Sequence, residues 1–532
     1  MEKMATSENN NLTEKPNFLF IITDQQRADW LGCMGHPVVR TPNIDSIAAE
    51  GTAFEDFHVA LPVCMPNRAS LMTGRMPSVN GLRYNGCALP RRANTFVDVL
   101  SAGGYRTASI GKSHLQPFTN KEPVGQEKDT VERLIPEAWK SEGKAYLSEE
   151  PSSFKGAEET EFETPYYGFQ HVDMVTGHGH NCGGHYGQWF RKTYPNWKDL
   201  HDRKNELPHN YSCPQAFRTA VPEEAYPTAW IGDRAVNYIN DSASHDEPFF
   251  AFVSFPDPHH PFNPPGKYWD MYSPDEFSVD LPYAAHKNPT PPMDDVTRLW
   301  EAGEAGSIPT FAFRASDAHV KEAKALTAGM ITMIDDQVGR LLKSLKESGQ
   351  FENTVIIFTS DHGDYLGDFN MMLKGPLKLG SITRVPMIWS DPSSRTAVRT
   401  DTMGSTIDLS ASILDRAGHA PYNGIQGRSF LESLSGTKTH RDEVLIEFNN
   451  QGPRMGMTTV PRVRTLRSKT WRLSVYAGED WGELYNLKSD PNETENLWND
   501  PEARDAKLKL SLRLVEHLAR QTDSSPRSKR LA

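Results

Sequence analysis

The chain has 532 residues, which allows about three domains of ~100–200 residues or one large α/β domain with an appendage. Its 69 acidic and 57 basic residues give a net charge of -12, which excludes a protein that binds nucleic acid through the phosphate backbone. Aromatic residues make up 10% of the chain, too many for a disordered or fibrous protein. Because no apolar run approaches the ~18 residues of a membrane span, we also expect no membrane partner.

The cysteines and the N-terminus indicate a reducing compartment. The chain has 5 cysteines, an odd and sparse set that makes no disulfide framework: Cys33, Cys64, Cys87, Cys182 and Cys213. The first residues are polar and lack the apolar core of a secretory signal. We therefore predict a cytoplasmic protein whose cysteines are thiols.

Short apolar runs with strand character alternate along the chain with helical patterns. Residues 1–15 form a polar tail that we predict to be disordered. The strand candidates are 18–23, 106–110, 249–255, 354–359 and 385–389, and the helical patterns are 43–50, 95–102, 230–239, 323–348 and 405–417. Strands that alternate with helices predict an α/β fold in which a mainly parallel sheet has helices on both faces.

Two long segments interrupt this alternation, and the pattern changes near the C-terminus. Residues 119–227 are rich in Gly, His and aromatic residues, and residues 263–318 are rich in Pro and polar residues. We expect both to be excursions from the sheet that shape a substrate pocket. A second unit begins near residue 441, with strand character over 465–476 and an amphipathic helix over 500–521. Residues 522–532 form a tail that we predict to be disordered.

Four strand candidates end abruptly in polar residues whose chemistry suits a ligand site. At those ends lie Asp24, Lys112, His259, Asp361 and His362. In open α/β sheets ligands bind outside the carboxyl ends of the strands, so we expect these side chains to converge in one cleft. Carboxylates, an amide oxygen and an imidazole can bind a divalent cation, and lysines can neutralise an anionic substrate.

Cys64 opens a segment with the pattern of a short helix. Pro66 suits the first helical turn and Gly74 suits the C-terminal stop, which places Cys64 at a helix N-terminus. The dipole and the free N–H groups at that end stabilise an anion, and Arg68 adds positive charge one turn on. We therefore expect an acidified thiol at Cys64.

The residues around Cys64 resemble the signature of a known family. Cys-x-Pro-x-Arg followed by Ala-Ser-Leu-Met-Thr-Gly is similar to the sulfatase motif, in which the cysteine is oxidised to formylglycine. Further segments resemble sulfatases in the order that the family has: 17–24, 41–45, 51–54, 111–114, 258–261, 359–363 with Lys374, and 483–497. All of them together, in this order, are a specific match.

The resemblance implies an alkaline-phosphatase-like fold. This fold has a large mixed, mostly parallel sheet sandwiched by helices, and a small C-terminal α+β subdomain with an antiparallel sheet and a helix. On this chain it implies a catalytic domain over 16–440, which contains both excursions, and a C-terminal subdomain over 441–521. A formylglycine-generating enzyme is implied as a transient partner.

The resemblance also implies one divalent metal ion, bound by Asp24, Gln25, Asp361, His362 and residue 64. Many arylsulfatases carry Asp-Asp and Asp-Asn at these two pairs, around calcium. The pairs Asp24-Gln25 and Asp361-His362 instead resemble the phosphonate monoester hydrolases and choline sulfatases. Because imidazole shifts the preference away from calcium, manganese and calcium are both candidates, with zinc as a further option.

Three other positions bear on the substrate. Asn85 falls where phosphonate hydrolases and choline sulfatases place a substrate-contacting asparagine. Lys112 and His114 are the sulfatase-type residues, where the phosphonate hydrolases have Tyr and Thr. The resemblance therefore favours hydrolysis of sulfate monoesters, with phosphonate monoester or phosphodiester hydrolysis at the same site as the alternative.

The mechanism that the resemblance implies is nucleophilic. A metal-bound gem-diol of formylglycine, formed from Cys64, attacks sulfur and gives a covalent sulfo-enzyme intermediate. Lys112 and Lys374 bind the ester oxygens, and Arg68 orients the diol.

Four histidines complete the implied site. His259 is expected to protonate the leaving oxygen, and His114 or a neighbouring residue to deprotonate the spare hydroxyl so that sulfate is expelled. His178 and His180 lie in a segment rich in Gly and His, 177–185. Because such spacing fixes no ligand geometry, we expect these two to line the substrate pocket rather than to form a second metal site.

Alternatives from other classes stay open at this point. A phosphomutase or nucleotide pyrophosphatase on the same fold would use a Ser or Thr nucleophile and two metal ions, and the single Asp-His pair argues against it. A non-catalytic binding protein would leave Cys64 unoxidised. A homo-oligomer is also an option, and nothing in the sequence decides it.

Overall fold

A computed structural model describes residues 15–121, 146–305 and 311–530 of the chain. Nearly all of the predicted tail 1–15 and parts of both predicted excursions lie outside the described residues. The strands are β1 Asn17–Thr23, β2 Thr52–His58, β3 Arg106–Gly111, β4 His171–Thr176, β5 Phe249–Ser254, β6 Phe313–Arg314, β7 Thr354–Ser360, β8 Met371–Met372, β9 Met387–Ser390, β10 Val398–Ser405, β11 Glu443–Asn449, β12 Arg462–Ser468, β13 Trp471–Tyr476 and β14 Gly482–Asn486.

The α-helices of the described ranges are α1 Pro42–Ala49, α2 Cys64–Thr73, α3 Pro77–Asn80, α4 Phe96–Ala102, α5 Gly184–Thr193, α6 Trp197–His201, α7 Pro227–Ser242, α8 Pro291–Glu301, α9 Asp317–Glu347, α10 Gly380–Thr383, α11 Asp408–Arg416 and α12 Arg504–Ala519. Over those ranges, none of the helices combines the length and the apolar character that a membrane span requires.

Eight strands form one sheet in the order β10-β2-β9-β7-β1-β5-β3-β4. β1 pairs in parallel with β5 and β7, and β3 pairs in parallel with β5 and β4. β9 runs antiparallel to both of its neighbours, β2 and β7. The sheet is therefore mixed and mostly parallel, which confirms the predicted fold class.

The two faces of the central strand β1 bury different side chains, because successive residues of a strand point to opposite sides of a sheet. Leu19 and Ile21 belong to the core that includes the long helix α9, whereas Phe18 and Phe20 belong to the core on the other face. All residues of β1 are buried. A strand that is covered on both faces has a continuous run of apolar residues. For this reason β1 can be predicted from the sequence.

Three strands of the large sheet lack such a run, and the apolar pattern of the sequence does not predict them. β2 and β10 have exposed charged residues among their buried ones, and β4 begins with an exposed histidine. β4 and α5 lie inside the predicted excursion 119–227, so that part of it contributes to the sheet and its helices. Helix α9 begins at Asp317 rather than near 323, because Ser316 caps its polar first turn by accepting from His319 N.

The C-terminal unit is a four-stranded antiparallel sheet in the order β11-β12-β13-β14. The predicted strand region 465–476 resolves into β12 and β13. The predicted helix 500–521 corresponds to α12, preceded by a 3-10 turn at Pro501–Ala503. Leu510 and Leu514 on its inner face pack with Leu466 and Leu473 of the sheet.

Candidate active site

The carboxyl ends of four neighbouring strands meet at one edge of the sheet, and each is followed by polar residues. β7, β1, β5 and β3 are adjacent in that order. Asp361 follows β7, Asp24 follows β1, Lys112 follows β3, and His259 lies shortly beyond β5. The chain leaves β3 through Gly111, whose φ of +107° and contact with the β5 backbone leave no room for a Cβ atom. The sheet topology thus brings the predicted strand-end residues to one place.

Helix α2 holds Cys64 at its first position. The helix ends at Gly74, whose left-handed φ of 59° stops it as predicted. Every residue of α2 is buried, and Cys64 is 1% exposed. Asn67 fastens the helix to the edge of the sheet, because its Nδ2 donates to Asp361 O at 2.6 Å.

Cys64 lies among groups that suit a divalent cation. Its Sγ is 3.5 Å from Asp24 Oδ1 and 3.2 Å from His362 Nε2. One ligand atom from each of Asp24, Cys64, Asp361 and His362 lies within 4.8 Å of the others. Gln25 joins this group, because its backbone N donates to Asp361 Oδ1 at 3.1 Å. Two carboxylates, an amide oxygen and an imidazole form a donor set that fits manganese, calcium or zinc.

Lys374 faces several of these acceptors at once. Its Nζ lies 3.3 Å from Cys64 Sγ and 3.0 Å from Gln25 Oε1. It is also 3.1 Å from Nε2 of both His259 and His362. A single buried ammonium therefore touches the predicted nucleophile, the predicted acid and two predicted metal ligands.

Lys112 and Arg68 hold the two carboxylates. Lys112 Nζ forms an ion pair with Asp24 Oδ2. Arg68 Nε donates to Asp361 Oδ2 at 2.7 Å, and its Nη2 is 3.6 Å from Asp24 Oδ2. Its Nη1 donates to the Lys112 carbonyl at 2.7 Å. No hydrogen bond of Arg68 within the described ranges goes to Cys64, so the structure places Arg68 on the carboxylates rather than on the thiol.

The Cys64 thiol is not acidified in this setting. Burial raises its pKa to about 11, and the neighbouring Asp24 adds to the rise. The expectation of an acidic thiol is therefore wrong, because burial and Asp24 outweigh Lys374 and Lys112. Burial alone would also raise the pKa of Asp24, but Lys112 overcomes it and holds that pKa well below its usual value.

The histidines of the cluster are neutral at neutral pH. Burial lowers the pKa of His362 and of His178 to about 4. Burial and the neighbouring His178 hold the pKa of His259 well below its usual value. His259 Nδ1 lies 2.6 Å from the His260 carbonyl and must donate to it, so Nε2 is the acceptor that faces Lys374.

His178 and Asn85 also reach this cluster. The His178 ring stacks on His259 with ring centroids 3.6 Å apart, and its Nε2 is 2.6 Å from Lys112 Nζ. Asn85 Oδ1 accepts from the backbone N of Met65 at 3.2 Å, directly beside Cys64. The C-terminal unit contacts the same loop, because Gln451 Nε2 donates to the Asn85 carbonyl at 2.6 Å.

His180 and His114 have other surroundings than those predicted from the sequence. The His180 ring packs against Phe217, and its Nδ1 is 2.8 Å from the side-chain amide of Asn263. The His114 ring stacks on Phe118 with centroids 4.0 Å apart, and its buried Nδ1 has no hydrogen-bond partner among the described residues. Neither ring hydrogen-bonds to the cluster around Cys64 within the ranges that the structure describes.

Two buried carboxyl groups at this edge are not among the residues predicted from the sequence. Asp364 Oδ2 accepts from Gln25 Nε2 at 2.5 Å, which leaves Gln25 Oε1 to face Lys374. Asp257 Oδ1 accepts from Tyr226 OH at 3.3 Å. Burial raises the pKa of Asp257 to about 7 and that of Asp364 to about 6. Each lies a few residues beyond a strand of the sheet, which is the signal that could have indicated them.

Comparison with known proteins decides the family. The family profile described as sulfatase matches residues 16–419, more than half of the chain. The chain belongs to the sulfatase family. A second profile, N-sulphoglucosamine sulphohydrolase, C-terminal, matches residues 376–520 of this sulfatase. These matches confirm the predicted resemblance and the predicted enzyme class, a sulfuric ester hydrolase.

Individual relatives cover nearly the whole length of this sulfatase. The arylsulfatase of Clostridium perfringens is 29% identical over 499 residues, which cover 92% of each chain. The multifunctional alkaline phosphatase superfamily protein PehA of Trinickia caryophylli is 26% identical and also covers 92% of each chain. The solved structure of the phosphonate monoester hydrolase of Agrobacterium radiobacter matches with a TM-score of 0.75 and 24% identity, covering 96% of this chain and 97% of that one. That likeness establishes the shared fold.

Proposed function

We propose that this sulfatase hydrolyses sulfate monoesters and that residue 64 is the nucleophile after oxidation of Cys64 to formylglycine. The observation that carries the proposal is the position of Cys64 Sγ, 3.3 Å from Lys374 Nζ and 3.2 Å from His362 Nε2. A cation and metal-ligand groups meet at that one atom, as nucleophilic attack on an anionic ester requires.

The donor set described above fits one divalent cation, which Asp24, Gln25, Asp361 and His362 would hold. Bound there, the cation would make a hydroxyl of residue 64 more acidic and would offset charge on the ester oxygens. Formylglycine would supply a hydrated aldehyde, whose second hydroxyl lets the covalent sulfate ester break without attack of water on sulfur. Manganese and calcium suit the oxygen donors, and the imidazole admits zinc.

Three cationic side chains have separate tasks in this proposal. Lys374 and Lys112 bind the sulfate oxygens, since each ammonium group already faces an acceptor of the cluster. Arg68 positions the metal-binding carboxylates, because its hydrogen bonds go to Asp361, to the Ser254 hydroxyl and to the Lys112 carbonyl and not to Cys64. We therefore assign Arg68 a positioning role in place of direct orientation of the diol.

His259 and Lys374 share the proton that the leaving oxygen needs. His259 Nδ1 is committed to the His260 carbonyl, so its Nε2 accepts from Lys374 Nζ at 3.1 Å. An ammonium beside a neutral imidazole can deliver a proton to a departing alkoxide or phenoxide. The proton can come directly from Lys374 Nζ, or from His259 Nε2 after transfer from Lys374. His178 stacks on the His259 ring and so fixes its plane.

A phosphonate monoester or phosphodiester hydrolase is the second candidate function. The pairs Asp24-Gln25 and Asp361-His362 are compatible with it, because they resemble the phosphonate monoester hydrolases as well as the choline sulfatases, and one phosphonate monoester hydrolase shares the fold. The relative PehA carries the word multifunctional in its name, which supports a test for several ester classes at one site.

Steady-state kinetics with matched esters separate the two candidates. The substrates are 4-nitrophenyl sulfate, bis(4-nitrophenyl) phosphate and 4-nitrophenyl phenylphosphonate, and the variants are Cys64→Ala and Cys64→Ser with Cys87→Ser as the control. We expect the highest kcat/KM for the sulfate and a loss of at least ~10³-fold in both Cys64 variants. Undiminished turnover in both Cys64 variants overturns the assignment of residue 64 as the nucleophile. A higher kcat/KM for the phosphonate or for the phosphodiester than for the sulfate selects the second candidate.

Peptide mass spectrometry tests the oxidation itself. Conversion of the side chain from CH2SH to CHO lowers the mass of the Cys64 peptide by about 18 Da. Because Cys64 is 1% exposed in the folded chain, we propose that the formylglycine-generating enzyme acts before α2 packs. A fully unmodified Cys64 peptide in protein that cleaves sulfate esters contradicts the mechanism.

The cytoplasm is the proposed location, which cell fractionation tests.

A further inference from the structure

Helix α12 has two apolar faces, and only one of them is covered. Leu510 and Leu514 on the inner face are buried against the C-terminal sheet. On the outer face Leu508 is 61% exposed, Leu512 60% and Val515 61%. With Leu518 at 38%, this helix carries four of the eight large apolar side chains that are exposed in the described ranges: Leu147, Leu207, Trp300, Val460, Leu508, Leu512, Val515 and Leu518.

The exposed side chains have the spacing of a coiled-coil seam. Leu508, Leu512, Val515 and Ala519 follow one another at intervals of four, three and four residues, and all four are exposed. This spacing keeps them in one narrow stripe on a helix, as a and d positions do in helices that pair. The stripe spans residues 508–519, which at ~1.5 Å per residue is about 18 Å of this 16-residue helix.

The charges beside the stripe alternate in sign. One border carries, in chain order, Asp505, Lys509, Glu516 and Arg520. None of these four forms an ion pair with another residue that the structure describes. When two copies of α12 lie antiparallel about a two-fold axis between residues 512 and 513, Lys509 of each copy faces Glu516 of the other, and Asp505 faces Arg520.

We propose that the stripe Leu508, Leu512, Val515 and Ala519 is the contact between two copies of this chain, paired antiparallel through α12. The symmetric complementarity of Lys509 with Glu516 selects this partner, because a two-fold interface must match its own surface. A membrane surface fits less well, since the border carries both signs and the chain has a net charge of -12. A single pair of helices buries little area, so the dimer is weak and depends on concentration.

Sedimentation equilibrium of the full chain over a range of concentrations, at low salt, tests the pairing. We expect the wild type to shift from one to two chains with increasing concentration and Leu512→Glu to stay monomeric. Leu207→Glu, at a leucine that is 42% exposed away from α12, is the matched control and should dimerise as the wild type does. Unchanged melting temperatures and turnover in both variants show that they fold.

Charge reversal tests the antiparallel register. Lys509→Glu alone and Glu516→Lys alone should each raise the dimer dissociation constant about tenfold at low salt, because like charges then face each other. The double variant with both changes should restore the wild-type constant. A monomer at every concentration, a dimer that Leu512→Glu leaves intact, or no rescue in the double variant overturns the proposal. Binding to vesicles of phosphatidylserine and phosphatidylcholine that Leu512→Glu abolishes, without a dimer, overturns it in favour of a lipid surface.

Discussion

Lys374 Nζ lies 3.3 Å from Cys64 Sγ, although the two residues are 310 positions apart in the chain. Cys64 is held by the first turn of α2, whereas Lys374 lies just beyond the short strand β8. The contact therefore joins two separate parts of the catalytic edge. In the proposed mechanism this contact places a buried ammonium where negative charge develops on the sulfate group.

Replacement of Lys374 should lower turnover rather than stability. We expect Lys374→Met to reduce kcat for 4-nitrophenyl sulfate by about 10²–10³-fold, because a charge that stabilises the transition state is lost. The control is Lys343→Met, whose side chain is 73% exposed on α9. Steady-state kinetics and a melting curve measure the two effects. A rise in KM with kcat unchanged contradicts a role in the transition state.

The sequence predicts the site well where a residue follows a buried strand or belongs to a tight motif. Asp24 and Asp361 come directly after β1 and β7, and parallel pairing of these strands brings their ends together. The helix that begins at Cys64 and ends before Gly74 is encoded by local backbone preferences. Such features can be predicted from neighbouring residues or from the general topology of an α/β sheet.

Features that depend on burial and on distant contacts cannot be predicted from local sequence patterns. The pKa of Cys64 rises because the whole of α2 is buried, which a local pattern does not reveal. His180 lies two residues after His178, yet it lies in a 3-10 turn and packs on Phe217 instead of on the cluster. Strands with exposed charges, such as β10, lack the apolar run that marks β1.

Replacement of Gly111 should destabilise the edge of the sheet at which the candidate active site lies. A Cβ atom there would lie 2.0 Å from Ser254 O, and φ is +107°. We expect Gly111→Ala to lower the free energy of unfolding by about 3 kcal/mol. Gly104→Ala is the matched control, since Gly104 has a φ of +89° but no atom within 4 Å of the added Cβ. Chemical denaturation measures both, and equal losses in the two variants would show that the clash with β5 is unimportant.

Asp257 should make stability depend on pH. Burial raises its pKa from 3.8 to about 7, so the folded chain binds a proton that the unfolded chain releases. The stability from this group is therefore complete below about pH 4 and is lost as the pH rises through about 7. Asp257→Asn stays neutral at every pH. The melting temperature of this variant should therefore rise relative to that of the wild type as the pH increases from about 4 to about 7. The exposed Asp401→Asn is the control, and a constant difference between Asp257→Asn and the wild type refutes the raised pKa.

Arg68 should set the affinity for the metal ion through the carboxylates that it holds. Arg68→Lys keeps the charge but loses the planar fork that reaches Asp361 and Asp24. We expect the affinity for manganese to fall about 10–100-fold, as when other groups that orient metal ligands are replaced. Isothermal titration of manganese into chelator-treated protein measures this. Arg75→Lys is the control, because Arg75 donates to the Gly424 carbonyl and not to a carboxylate. Lost turnover with unchanged manganese affinity would instead place Arg68 on the substrate.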